Sequence, residues 1–471
     1  MDARYDVLDD AARLARDFIN SLPSRPVHAT ADIDALRAAL GRPLAEDGVD
    51  PREVIAALAR DVEPGVVASA GPRYFGFVIG GSLPAAVAAD WLTAAWDQNA
   101  GGYVVAPALS VAEEVAAGWL RELLGLPTSC GVGFVTGCQM AHVTCLAAAR
   151  HAVLRDAGWD VEADGLQGAP ELRVFAGEQA HVTVKVACRI LGLGAERIRF
   201  VAVDDQGRML PSELRAALAE HDGPKIVCAQ AGEINTGSFD PFAEIVEICR
   251  EAGAWCHIDG AFGLWAAVSP SRRRLLDGFE RADSWATDAH KWLNVPYDCG
   301  IAAVADASAH RAAMTSSSAY IPSHGDDIPW GFDWTPEFSR RARGVAVYAA
   351  LRSLGRAGVR QMIDGCCDHA QRMASALSRH DGVDVLNDVV LDQVVVRFED
   401  SDEVTAEVID RVQRDGTCWC GGSTFRGQDV MRISVVSWQT TPEDIDISAR
   451  AILACFESAR HRAGSVASGA A

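Results

Sequence analysis

Asp283-Ser-Trp-Ala-Thr-Asp-Ala-His-Lys-Trp292 carries a short apolar run into a histidine–lysine pair. A lysine in that setting has two readings. It is a solvated surface charge, or it is an amine that stores an aldehyde cofactor as a Schiff base, ready for displacement by a substrate amine. The flanking sequence bears on the choice.

Working outward, short β-rich runs alternate with helical ones. The runs are 172–175, 198–203, 225–229, 254–258 and 300–304. Helical patterns at 184–193, 211–219 and 241–252 lie between them. Strand–helix alternation predicts a mainly parallel sheet covered on both faces. Ligands of such sheets sit beyond the strand ends. His181, Glu233-Ile-Asn-Thr-Gly237, Asp259 and Lys291 all fall there. Singly each has an ordinary structural explanation, since aspartates cap helices and lone histidines pack in cores. Their joint placement after successive strands favours a site.

Upstream, Cys130-Gly-Val-Gly-Phe-Val-Thr-Gly-Cys-Gln-Met-Ala-His142 reads as a glycine-rich turn feeding a helix over 141–154. A helix N-terminus offers free N–H groups and a positive dipole end, which suit a phosphate. The turn matches neither G-x-G-x-x-G nor a Walker loop. Residues 71–81 mix aromatic residues with glycine, as a ligand-facing loop or a packed turn. Helices are expected over 6–19, 32–40, 51–58, 84–96 and 109–124, with the polar loop 97–103 between the last two. After Lys291, the Ser/Gly/Pro/Asp-rich segment 316–330 predicts a loop long enough for a lid. Strands near 383–386, 392–397 and 430–436, with helices over 403–414 and 442–459, predict a small α+β domain. The division is 1–70 helical arm, 71–355 large domain, 356–460 small domain and 461–471 disordered tail.

The chain has 471 residues, enough for a large core, and is 49% hydrophobic and 23% charged. A net charge of -21 argues against nucleic acid or an anionic membrane as the main partner. The start lacks a secretory pattern and no apolar run spans a membrane, so a reducing cytoplasm is expected for the thirteen cysteines. Cys366-Cys367 and Cys418-Trp-Cys420 lack paired C-x2-C spacing, and no metal is expected.

His257-Ile-Asp-Gly-Ala-Phe262 followed by His290-Lys291-Trp292 resembles the group II pyridoxal-phosphate-dependent amino acid decarboxylases, which include the aromatic amino acid and glutamate decarboxylases. The resemblance covers about residues 65–455. It implies the fold-type I architecture, an α/β large domain with a mainly parallel seven-stranded sheet, and a homodimer with sites at the interface. The implied reaction converts an L-amino acid to its amine and CO2 on pyridoxal 5'-phosphate (PLP). Lys291 would form the Schiff base, and Asp259 would keep the pyridine nitrogen protonated. Ala261 would lie on one ring face and His181 on the other. Thr136, Gly137, Cys138, Thr287 and His290 would hold the phosphate. His257 shares a strand face with Asp259 and either orients it or simply packs. Tyr320 matches a lid tyrosine that helps reprotonate the α-carbon; relatives with phenylalanine there tend toward aldehyde formation.

The sequence departs from the family pattern in places. Met140 replaces a glutamate in the phosphate turn, and a second glycine is missing. Asp288 stands where relatives have asparagine, and is expected to point away while Thr287 makes the contact. Asn235 replaces a threonine near the ring hydroxyl. Phe77, Val78, Ile79, Asn99 and Tyr103 are expected to border the substrate, some of them from the partner chain. Arg432 either contacts the substrate or forms a structural ion pair. The mixed character of these residues mildly favours an aromatic or medium-sized amino acid. Oxidative deamination, β-elimination and transamination remain as related alternatives.

Overall fold

Seven strands form the main sheet: β1 (Gly131–Val135), β2 (Arg173–Gly177), β3 (Arg199–Val201), β4 (Lys225–Gln230), β5 (Trp255–Asp259), β6 (Ser284–Asp288) and β7 (Gly300–Val304). A computed structural model describes residues 5–315, 328 and 330–469. The strand order is β1-β7-β6-β5-β4-β2-β3. β7 runs antiparallel to both neighbours, and the pairs from β6 to β3 are parallel. This is the mainly parallel seven-stranded sheet expected. Burial on both faces explains the continuous apolar runs of β1, β5, β6 and β7, each buried throughout.

β1 was not expected as a strand, because its glycines suggest a turn. The reason for them is packing. A Cβ on Gly131 would lie 2.4 Å from the Trp334 ring, and one on Gly133 would lie 2.1 Å from the Trp334 carbonyl oxygen. The strand is glycine-rich because another segment presses on it.

The helix Cys138–Asp156 leaves the end of β1. Ala141, Cys145, Leu146, Ala148, Ala149 and Ala152 are buried along it. Its small side chains allow close approach to sheet and helices on nearly every side. Any polar side chain on such a helix must find an internal partner. Thr144 turns its hydroxyl back to the Met140 carbonyl at 2.9 Å, whereas His142 reaches outward.

The chain divides into two compact units. One comprises Ser82–Gln371 and Asn387–Val394 and contains the seven-stranded sheet. The other comprises Met1–Gly81, Arg372–Leu386 and Val395–Ala471, so the N-terminal helices group with the C-terminal part. The second sheet, ordered β10-β11-β9-β8, is built from β8 (Val383–Val385), β9 (Gln393–Phe398), β10 (Gly421–Phe425) and β11 (Gln428–Ser434). The helices Val7–Ser21, Ile33–Leu40 and Pro51–Val62 lie where the periodicity puts them. The last helix, Pro442–Gly469, continues into the tail expected to be disordered. Among the described residues no helix is long and apolar enough to cross a membrane.

Candidate active site

The carboxyl ends of β2, β4, β5 and β6 and the start of the Cys138–Asp156 helix surround a cavity of about 230 Å³. His181, Asp259, Ala261, His290 and Lys291 line it, together with Gly137 and Cys138. Residues far apart in the chain thus meet where an α/β sheet binds ligands.

Lys291 follows β6 through a turn. Its Nζ lies 3.1 Å from Asp288 Oδ2. Burial pulls the amine's pKa down, but Asp288, Cys138 and Asp259 together outweigh it and hold Lys291 above its ordinary value. Asp288 Oδ1 also accepts the Cys138 backbone N–H at 2.6 Å, and His290 Nε2 is 3.5 Å from it. Asp288 therefore faces inward, contrary to expectation. The buried N–H at a helix start, which has no partner within the helix, and the largely buried ammonium both need an anion, and Asp288 is the one at hand. Thr287 instead bonds the Ala261 carbonyl at 3.5 Å, so the expected exchange of roles between the two is reversed.

His290 accepts the Cys299 N–H on Nδ1 at 3.1 Å, which leaves Nε2 as the donor toward Asp288. Burial holds its pKa below the ordinary value. Tyr297 stacks on its ring at 4.2 Å. His181 begins the helix Val182–Ile190, where its Nδ1 caps Thr183 N at 3.4 Å and meets the Thr183 hydroxyl at 2.8 Å.

Asp259 ends β5. Its Oδ1 accepts the Ala261 N–H at 3.1 Å and lies 3.9 Å from Cys138 Sγ. Its Oδ2 is 3.4 Å from His142 Nε2. Burial alone would raise this carboxyl, but the adjoining His142, with His181 and the Ala261 N–H, holds it below the usual carboxylate range. Burial and the two neighbouring carboxylates push the Cys138 thiol far up, so it remains a thiol. His142 Nδ1 continues to His257 Nε2 at 2.9 Å, and His257 Nδ1 to Ser284 Oγ at 2.9 Å. His257 thus reaches Asp259 through His142. Sequence reading missed His142; the available signal was its position one helical turn after Cys138, on the same face.

Other expected site residues do not line the cavity within the single chain. Asn235 spends its amide on Glu233 Oε1 at 3.2 Å, and Ile234 faces the cavity instead. Asn99 Oδ1 accepts the N–H groups of Gly101 and Arg340, closing its own loop. Neither Asn99 nor Tyr103 lines the cavity, and Thr136 only joins β1 to the helix. Phe77 and Arg432 belong to the other unit, where Phe77 stacks on Trp419 at 5.5 Å and Arg432 pairs with Gly421 across β11 and β10. Tyr320 lies outside the described residues. Gln139, Thr183, Gln230 and Phe262 line the cavity and were not anticipated.

A buried amine, a carboxylate held ionised and a helix N-terminus share this cavity. That donor set fits an aldehyde cofactor with a basic ring nitrogen and a phosphate. Residues 37–399 match the family model described as the pyridoxal-dependent decarboxylase conserved domain. The chain belongs to this family of PLP-dependent carboxy-lyases acting on amino acids. It is 28% identical over 450 residues to an aromatic-L-amino-acid decarboxylase of Bacillus atrophaeus, covering 92% of each chain. It is 30% identical over 349 residues to the acidic amino acid decarboxylase GADL1 of Xenopus tropicalis, covering 72% of this chain and 67% of that one. The crystal structure of Oryza sativa TDC with PLP and tryptamine superposes with a TM-score of 0.90 at 25% identity, over 96% of this chain and 97% of that one.

Proposed function

We propose that the protein converts an L-amino acid to the corresponding amine and CO2, with PLP held on Lys291 as a Schiff base. The observation that carries this reading is the shared cavity of Lys291 and Asp259, flanked by Ala261 and His181. When bound, PLP supplies the electron sink for the pair left as CO2 departs.

The chain's own residues do the rest. Asp259 holds a proton at the ring nitrogen. Ala261 leaves room at one ring face, and His181 covers the other. The Cys138 N–H and His290 would hold the phosphate, in the place Asp288 takes at the helix N-terminus. Lys291 gives way to the substrate amine, and Lys291 or Tyr320 returns a proton to the α-carbon. Excluding water strengthens each of these electrostatic contacts.

A homodimer belongs to the same proposal. The helix Pro84–Trp96 leaves Trp91, Leu92 and Trp96 each 44–51% exposed, apolar surface suited to a second copy. All thirteen cysteines are free thiols, which fits a reducing cytoplasm.

The relatives named above act on aromatic and on acidic amino acids, so the test is a screen. Purified protein loaded with PLP is given each L-amino acid while CO2, amine and aldehyde are scored together. Matched CO2 and amine support the proposal. Aldehyde in place of amine, or no CO2 from any amino acid, would overturn it.

A further inference from the structure

Behind Asp259 runs a line of fully or nearly buried polar groups: His142, His257, Ser284 and Trp255. Their hydrogens can be assigned from chemistry. An indole N–H only donates, so Trp255 Nε1 gives its hydrogen to Ser284 Oγ, 2.9 Å away. A carboxylate only accepts, so His142 Nε2, 3.4 Å from Asp259 Oδ2 and 3.5 Å from Cys138 Sγ, carries a hydrogen, while the thiol gives its own to Asp259 Oδ1. Between these fixed ends the line closes in one direction. Ser284 donates to His257 Nδ1, His257 Nε2–H donates to His142 Nδ1, and His142 Nε2–H donates to Asp259. One hydrogen per imidazole satisfies every link. The opposite direction would bring two donors to Ser284 Oγ and leave its own hydrogen without an acceptor among the described residues. The rings meet edge to face at 85°, which holds the two nitrogens in register.

We propose that His142 is a positioning residue for the cofactor's ring nitrogen, aimed at Asp259 by a one-way donor line that starts at Trp255. The inference rests on reading Asp259 as the partner of that nitrogen. Burial foremost holds His257 well below its ordinary value, in keeping with its single hydrogen. Oδ2 is then held by His142 and Oδ1 by the Ala261 N–H, so the carboxylate is fixed at both oxygens before a ligand arrives. His142 touches neither substrate nor cofactor; its effect passes through Asp259.

The test uses the holoenzyme and three variants: His142→Leu, His142→Gln and Asp259→Asn. Leucine removes the donor, whereas the glutamine amide nitrogen can occupy the place of Nε2. His142→Leu is expected to weaken PLP retention by about 10- to 100-fold, alter the bound cofactor's visible spectrum, and lower kcat with little change in KM. His142→Gln restores most of each. Equal impairment in both variants, or wild-type behaviour in both, overturns the proposal. Asp259→Asn separates the two claims. If it leaves retention and spectrum unchanged, the reading of Asp259 fails. If it impairs both while His142→Leu does not, only the donor line fails. Should the His142 variants not fold, nitrogen NMR of wild-type imidazoles decides: Nε2–H is expected on both His142 and His257, and Nδ1–H on either overturns the proposal.

Discussion

The two ends of the cavity satisfy their charges in different ways. At the Asp259 end the partners are all internal, and they leave the carboxylate room for one more donor. At the Asp288 end the carboxylate occupies the helix N–H and the lysine ammonium that the family's cofactor would use. On the proposed reading Asp259 would face the cofactor's ring, and Asp288 stands where its phosphate would bind. A buried N-terminal N–H and a buried ammonium are costly without an anion. Asp288 supplies it, and on the proposed reading a bound phosphate would have to take its place.

Lys291→Ala tests whether the two ends serve one reaction, and it carries the largest expected effect. Decarboxylation should fall by about 10³-fold or more, and the visible band of bound PLP should vanish. Retained turnover would mean that the amine between the two ends is not the reactive one. Asp259→Asn comes next. It keeps the shape and removes the charge, so kcat should fall by about 10²–10³-fold, while amino acid KM changes little. A variant that loses only substrate affinity would break the assignment of this end to the cofactor ring.

The Asp259 end was the more legible in sequence. Asp259 and His181 each come after a strand-like run, and strand ends are where α/β sheets place ligands. Their neighbours were harder to read, because each answers to a distant segment. His142 becomes meaningful only when β5 brings His257 and Asp259 against its helix. The glycines of β1 are required by Trp334. Asp288 was misread because a carboxylate beside a phosphate site looks repulsive until the lysine and helix dipole are counted with it. The mainly parallel sheet was legible from alternation, but its count of seven strands came only with the family resemblance, because β1 read as a turn; the grouping of the first eighty residues with the C-terminal part was not legible, since short amphipathic helices do not reveal their partners.

Asp288→Asn tests the substitute-anion idea. Schiff-base formation needs the neutral amine, and Asp288 does most to hold Lys291 above its ordinary pKa. In the wild type, PLP capture should therefore accelerate as pH rises toward that elevated value. With asparagine, burial dominates and the lysine pKa falls, so the rate profile moves to lower pH. At a fixed pH below both values, capture then quickens by about tenfold for each pH unit the profile has moved. The same pair has a stability signature. A lysine raised by its partner stabilises the fold fully below its unfolded pKa, and this is lost as pH rises through the folded value. Asp288→Asn should flatten that alkaline limb in the PLP-free protein. An unmoved capture profile, or one moved to higher pH, contradicts the idea.

Gly137→Ala has the smallest expected effect and probes the phosphate end alone. The backbone at 137 is extended, with φ 171°, so alanine adds no strain of its own. Its Cβ would lie 3.2 Å from His290 Cε1 and 3.6 Å from Asp288 Oδ1. The imidazole must give by a few tenths of an ångström, and it sits against Tyr297 and the Cys299 N–H. Folding stability should change by less than about 1 kcal/mol. PLP affinity should fall by about threefold to tenfold, because His290 is moved away from the anion it serves. The ring end is untouched, so the visible band of whatever PLP binds should match the wild type. An altered band with unchanged affinity would show the two ends to be coupled rather than separately built.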